Sequence, residues 1–108
     1  MKAIQEIQKV FVIGSGAMGT GIAQTALQSG FSVTLQDVSA EQLQRAKANI
    51  EKQLSRNVEK GRMTAEERDV ALKRFTISNE LDTVAEADLV IEAASEKMEV
   101  KKSIFKNV

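Results

Sequence analysis

The stretch Val10-Phe11-Val12-Ile13-Gly14-Ser15-Gly16-Ala17-Met18-Gly19 decides how this chain is read. Consecutive apolar residues, mostly β-branched or aromatic, run straight into G-x-G-x-x-G, and a helical pattern follows. Strand, tight turn, helix is the order of a dinucleotide-binding βα unit. Each glycine has a mechanical reason. Gly14 lets the chain turn out of the strand where a Cβ would clash. Gly16 lets the backbone approach a pyrophosphate, and Gly19 lets the helix pack tightly on the sheet. The helix N-terminus, with Ser15, Ala17 and Met18 around it, then aims free N–H groups and the positive end of its dipole at the phosphates. By itself, G-x-G-x-x-G is equally compatible with a plain glycine-rich turn.

Asp37 strengthens the reading. It lies 23 positions beyond Gly14 at the end of the next strand pattern, where an acid can accept hydrogen bonds from a ribose. It also bears on which dinucleotide is preferred. A carboxylate about 4 Å from one unit of phosphate charge is repelled by about 1 kcal/mol in bulk water, and by about 4 kcal/mol at an effective dielectric near 20. A 2′-phosphate would add nearly two such charges, and the neighbours Gln36 and Val38 offer no cation. NAD is favoured over NADP. The alternative for Asp37 is that it only starts the turn before Ser39.

Composition agrees with one small α/β domain. The 108 residues are enough for a single core that buries about 60–68% of the unfolded surface. Lys plus Arg and Asp plus Glu each number 15, so the net charge is zero and no nucleic-acid footprint is expected. With no cysteine there is no disulfide framework and no thiolate metal site, which fits a reducing cytoplasm. Met1 to Lys9 lacks the apolar core of a signal peptide. No segment approaches the ~20 apolar residues of a membrane span. The chain also has no histidine, so the commonest general base is missing. If this is a dehydrogenase domain, the proton-transfer residue lies in polypeptide beyond this sequence, or another group does that work.

Strands and helices alternate along the chain. Residues 9–13 read as a strand and 17–29 as its helix, which Gly30 terminates. In 31–37, Val33 and Leu35 alternate with Thr34 and Gln36 as a second strand. Ser39 with Gln42 opens a long helix to about Lys60, its apolar stripe running Leu43, Ala46, Ile50, Leu54, Val58. Gly61 closes it, and a second capping box, Thr64 with Glu67, opens a helix over 65–74. Residues 75–78 read as a third strand, 82–87 as a helical turn and 89–93 as a fourth strand. Glu96 to Val108 looks helical, with Met98, Ile104, Phe105 and Val108 on its apolar side.

The pattern predicts a Rossmann-type, doubly wound parallel α/β sheet with a helical hairpin inserted after the second strand. About four strands in the order 3-2-1-4 are expected, where the full fold has six. On that count residues 1–108 are the NAD-binding, N-terminal part of a longer protein. The fourth strand is then an edge exposing Val90 and Ile91, which predicts self-association through 89–93.

The segment Val12-Ile13-Gly14-Ser15-Gly16-Ala17-Met18-Gly19-Thr20-Gly21-Ile22-Ala23-Gln24 resembles the opening of the 3-hydroxyacyl-CoA dehydrogenase family, the 3-hydroxybutyryl-CoA dehydrogenase members above all. Asp88-Leu89-Val90-Ile91-Glu92-Ala93-Ala94-Ser95-Glu96, followed by Lys101 and Ile104-Phe105, carries the same resemblance, as does the helical hairpin. The likeness runs from about Lys9 to the end.

The resemblance implies that Gly14 to Gly19 hold the pyrophosphate of NAD and Asp37 its adenosine ribose. It places Glu96 and Lys101 beside the nicotinamide end, with Lys101 also able to serve the acyl-CoA. Lys60 matches a basic position that contacts CoA. Gln53 departs from a serine with that role, and Ser15 stands where alanine or glycine is commoner. Read without the resemblance, Glu96 is a favourable first-turn acid, Lys101 an exposed helical lysine and Lys60 a lysine complementing a helix dipole. The implied reaction interconverts an L-3-hydroxyacyl-CoA and the 3-ketoacyl-CoA by hydride transfer, in fatty-acid or butanoate metabolism. Its base is a histidine oriented by a glutamate, beyond this sequence. A helical substrate and dimerisation domain and a homodimeric parent are implied too, and this chain alone is expected to be inactive, with no catalytic residue of its own. Two other readings stand beside it. One is a different hydroxy-acid dehydrogenase with a G-x-G-x-M-G turn, and the other is a stand-alone, non-catalytic NAD-binding module.

Overall fold

A computed structural model describes residues 8–81 and 84–93, and the backbone of 99–102. Strands β1 (Lys9–Ile13), β2 (Ser32–Gln36), β3 (Phe75–Ser78), β4 (Leu89–Glu92) and β5 (Glu99–Lys102) form one sheet in the order β3-β2-β1-β4-β5. The first four are mutually parallel and β5 is antiparallel to β4. Helix α1 (Ala17–Gln28) links β1 to β2, and the hairpin of α2 (Ala40–Glu59) and α3 (Ala65–Lys73) links β2 to β3. A 3-10 turn, Val84–Glu86, precedes β4. This is the expected 3-2-1-4 parallel sheet with one more strand.

Register follows from the two-residue period of the strands. Val10 pairs with Val33 and Leu89, and Val12 with Leu35 and Ile91. These side chains share one face with Phe75 and Ile77, and the helices cover it. Helix α1 brings Ala23 and Leu27 to that face. Helix α2 brings Leu43, Ala46, Ile50 and Leu54, the stripe of three- and four-residue steps that makes a helix amphipathic. Ile50, Leu54, Leu27 and Leu35 are wholly buried, each contributing about 1.5–3 kcal/mol over an exposed position. The opposite face carries Phe11, Val90 and Ala87, with Ile13 and Val84 packed beside them.

Helix ends are set locally. Gly30 and Gly61 have φ of 99° and 75°. Beyond α1, Phe31 N–H bonds Ala26 O and Gly30 N–H bonds Leu27 O; beyond α2, Arg62 N–H bonds Asn57 O and Gly61 N–H bonds Val58 O. That is the Schellman pattern at both ends. Thr64 and Glu67 complete the reciprocal capping box of α3. The Arg74 guanidinium donates to Leu27 O at 3.1 Å, setting a cation at the C-terminus of α1.

Two expectations are corrected. The helix foreseen over 96–108 is not what 99–102 form: they are β5, with Val90 opposite Lys101 and Ile91 opposite Val100. Backbone pairing to an open parallel edge outweighs weak local helix propensity. Consequently β4 is not an edge, and Val90 and Ile91 are only 5% and 9% exposed. The basis for self-association through 89–93 is gone. Glu96, Met98, Ile104, Phe105 and Val108 lie outside the described residues. No described helix is long and apolar enough to cross a membrane.

Candidate functional site

The carboxyl ends of β1, β2 and β4 meet at one end of the sheet, the place where open α/β sheets bind ligands. Gly14 leaves β1 with φ 102°, a conformation closed to most side chains. Its N–H donates to Gln36 O at 2.7 Å, so the turn is pinned to the end of β2. Gly19 sits against that turn, with a Cβ there reaching only 1.7 Å from Gly14 O. The close packing read from the motif is therefore real. Gly16 is different. A Cβ on it would meet only Gln42 Nε2, at 3.9 Å. Among the described residues no packing demands a glycine there, which leaves space for something to approach the backbone.

Helix α1 is the unusual helix of the three. Ser39 and Thr64 cap α2 and α3 with their side chains, whereas the N-cap of α1 is Gly16, with no capping side chain and no acid in the first turn. Its leading N–H groups and the positive end of its dipole are thus left for an anion.

Asp37 faces this turn. Its Oδ2 accepts from Ser15 N–H and from the Ser15 hydroxyl, both at 2.9 Å, and Oδ1 accepts from Ser39 N–H at 3.1 Å. Burial pushes its pKa up. The hydrogen bonds from Ser15 N–H, Ser39 N–H, the Ser15 hydroxyl and Val38 N–H together outweigh that and hold it below the usual carboxylate value. Both roles considered for Asp37 are thus compatible: it braces the turn into Ser39, and it presents a fixed negative charge at the cleft.

A cleft of 400 Å³ is lined by Gly14, Ser15, Gly16, Asp37, Val38 and Ala93 among others. A neighbouring one of 450 Å³ runs between α1 and α2 past Ala17, Thr20, Ser39, Gln42 and Arg45. Gly14, Ser15, Gly16, Ala17 and Asp37 are therefore brought together. The Met18 side chain packs against the core instead. Lys60 caps the far end of α2 and is exposed, about 27 Å along the helix from Gln42 at 1.5 Å per residue. Lys101 lies on β5 opposite Val90 rather than on a helix. Glu96 is outside the described residues.

Sequence reasoning passed over the part Thr20 plays and saw the Asp37–Ser39 turn only as an alternative to a binding role. Thr20, 6% exposed, donates its hydroxyl to Ser15 O at 3.0 Å. Ser39 was legible as a cap, which it is, its hydroxyl accepting from Gln42 N–H. Its N–H bond to Asp37 has the two-residue spacing of an Asx turn, a signal that was available.

A parallel sheet whose first strand turns through glycines into an uncapped helix, facing an acid at the end of the second strand, defines a dinucleotide-binding domain. Residues 9–108 match the family described as 3-hydroxyacyl-CoA dehydrogenase, NAD binding domain. The chain belongs to that family. It is 50% identical over 99 residues to 3-hydroxyadipyl-CoA dehydrogenase of Escherichia coli K12, covering 92% of this chain and 21% of that protein. It is likewise 50% identical over 99 residues to 3-hydroxybutyryl-CoA dehydrogenase of Bradyrhizobium diazoefficiens, covering 92% and 34%. The crystal structure of 3-hydroxybutyryl-CoA dehydrogenase from Escherichia coli K12 superposes with a TM-score of 0.80 at 48% identity, over 85% of this chain and 20% of that one. The chain thus spans between a fifth and about a third of the length of these relatives.

Proposed function

We propose that this chain is the NAD-binding part of an oxidoreductase that interconverts an L-3-hydroxyacyl-CoA, 3-hydroxybutyryl-CoA foremost, and the corresponding 3-ketoacyl-CoA. The observation that carries it is the cleft where the Gly14–Gly16 turn, the uncapped N-terminus of α1 and Asp37 converge. The residues present fit the cofactor. Gly16 leaves its backbone open to approach, the N–H groups of the first turn of α1 would hold the pyrophosphate, and Asp37 would accept from the adenosine ribose. When bound, NAD supplies the hydride acceptor; the protein's part is to orient it and to set its charge environment.

The substrate class rests on the names of the relatives, which are dehydrogenases of 3-hydroxybutyryl-CoA and 3-hydroxyadipyl-CoA. Glu96 and Lys101 belong at the nicotinamide end of the site on this reading, and Lys60 and Lys101 at the CoA. The distance of Lys60 from the cleft is consistent with a long substrate reaching along the hairpin. A helical substrate domain, a homodimeric parent and a cytoplasmic location complete the proposal. With no histidine in the chain, this reading assigns the base for the hydroxyl proton to the remainder of the enzyme.

Calorimetric titration with NAD and NADP tests the reading. NAD is expected to bind more tightly, and Asp37→Ala to weaken it by about 1–3 kcal/mol, the range for losing hydrogen bonds to a charged group. Equal affinities for NAD and NADP in the unaltered chain overturn it.

A further inference from the structure

Ser15 stands at the centre of the site, yet neither the turn nor the helix requires a hydroxyl there. The residue is 4% exposed, and its hydroxyl proton is committed to Asp37 Oδ2 at 2.9 Å. The same oxygen receives Ser15 N–H, so one residue grips one carboxylate oxygen at two points. Ser15 itself is anchored, its carbonyl accepting from the Thr20 hydroxyl at 3.0 Å. On the other side, Ser39 N–H holds Oδ1 at 3.1 Å. A carboxylate's terminal torsion is broad and easily turned. Donors on both oxygens remove that freedom, and hydrogen bonds to the charged form keep it charged.

Resting on the dinucleotide reading, we propose that the Ser15 hydroxyl is a positioning group that holds Asp37 fixed and charged. It thereby sets the preference of this site for a free ribose diol over a 2′-phosphate. A 2′-phosphate carries nearly two negative charges, and a carboxylate that could turn away or take a proton would relieve the repulsion. Pinned by Ser15, this one does neither. Near its end of α2 stand Glu41 and Arg45, paired with each other at 2.8 Å, while Glu80 follows β3 and Glu92 ends β4. The forces that act on the titration of Asp37 are its burial and its hydrogen bonds.

The test is Ser15→Ala in this chain, a smaller side chain in a buried turn, with two readouts. Calorimetry at neutral pH measures NAD and NADP affinities. Carbon NMR of the Asp37 carboxyl against pH, without nucleotide, reports its protonation. The variant is expected to narrow the NAD-over-NADP ratio by about threefold to tenfold, the equilibrium value of one net hydrogen bond, and to raise the Asp37 midpoint toward the ordinary value. A purely structural serine would alter stability and leave both readouts alone. If the unaltered chain prefers NAD but Ser15→Ala matches it in ratio and midpoint, the role of Ser15 is overturned and the cofactor reading stands. If the unaltered chain binds neither nucleotide, the cofactor reading falls and this inference with it.

Discussion

Gly19→Ala is the sharpest test of how the motif works. The added Cβ would stand 1.7 Å from Gly14 O, 2.8 Å from Gly14 C and 3.6 Å from Val12 Cγ1. Ordinary contact begins at 3.4 Å, twice the first of these distances. The atoms struck are main chain, in a turn held by Gly14 N–H to Gln36 O at 2.7 Å, so no rotamer change can relieve the clash. Helix α1 must shift off β1, carrying wholly buried Ala23 and Leu27 with it. Overpacking of this kind costs about 1–3 kcal/mol, and rigid backbone puts it at or above the upper end. The whole domain has about 5–15 kcal/mol to lose, and each kcal/mol lowers Tm by roughly 4–8 °C at this size. A fall in Tm of at least about 12 °C by circular dichroism is expected. The control is Gly21→Ala, on the exposed side of the same helix with nothing within 4 Å of its Cβ, which should gain about 0.5–1 kcal/mol. Gly16→Ala, at the N-cap of α1, should cost about 1 kcal/mol, far less than Gly19→Ala, and on the proposed cofactor reading should also weaken NAD binding. A Gly19→Ala protein as stable as the unaltered chain would refute the packing argument.

Three further outcomes are expected. Thr64→Ala removes the hydroxyl that accepts Glu67 N–H at 3.0 Å and should cost about 1 kcal/mol, read as a lower urea midpoint with an unchanged slope. Asp37 titrates below its ordinary 3.8 in the folded chain, so its contribution to stability is complete above that pH and is lost as pH falls through the lower folded value. Urea midpoints of the unaltered chain and Asp37→Asn should therefore differ most above pH 3.8 and converge as pH falls below it; a gap that does not shrink in acid contradicts the assignment. The chain alone, with no histidine, should not catalyse NADH-dependent reduction of acetoacetyl-CoA, and detectable turnover in a spectrophotometric assay would show that another group supplies the proton.

What the sequence by itself determined is what depends on near neighbours. The strand entering Gly14, the α2 stripe from Leu43 to Leu54, the caps at Ser39 and Thr64 and the stops at Gly30 and Gly61 all obey rules spanning two to five residues. Each is present in the structure. The parallel order of the first four strands was legible as well, because alternating strands and helices leave few ways to stack. Tertiary structure alone decided the rest. Whether 99–102 would be helix or strand turned on the open edge of β4, a partner their own residues do not name. The joining of Ser15 to Asp37 spans 22 positions. It exists because β1 and β2 lie side by side in register, so that the turn leaving one strand meets the acid ending the other. Local pattern can say which residues are suited to a site, but only the pairing of distant segments brings a hydroxyl proton within hydrogen-bonding distance of a carboxylate.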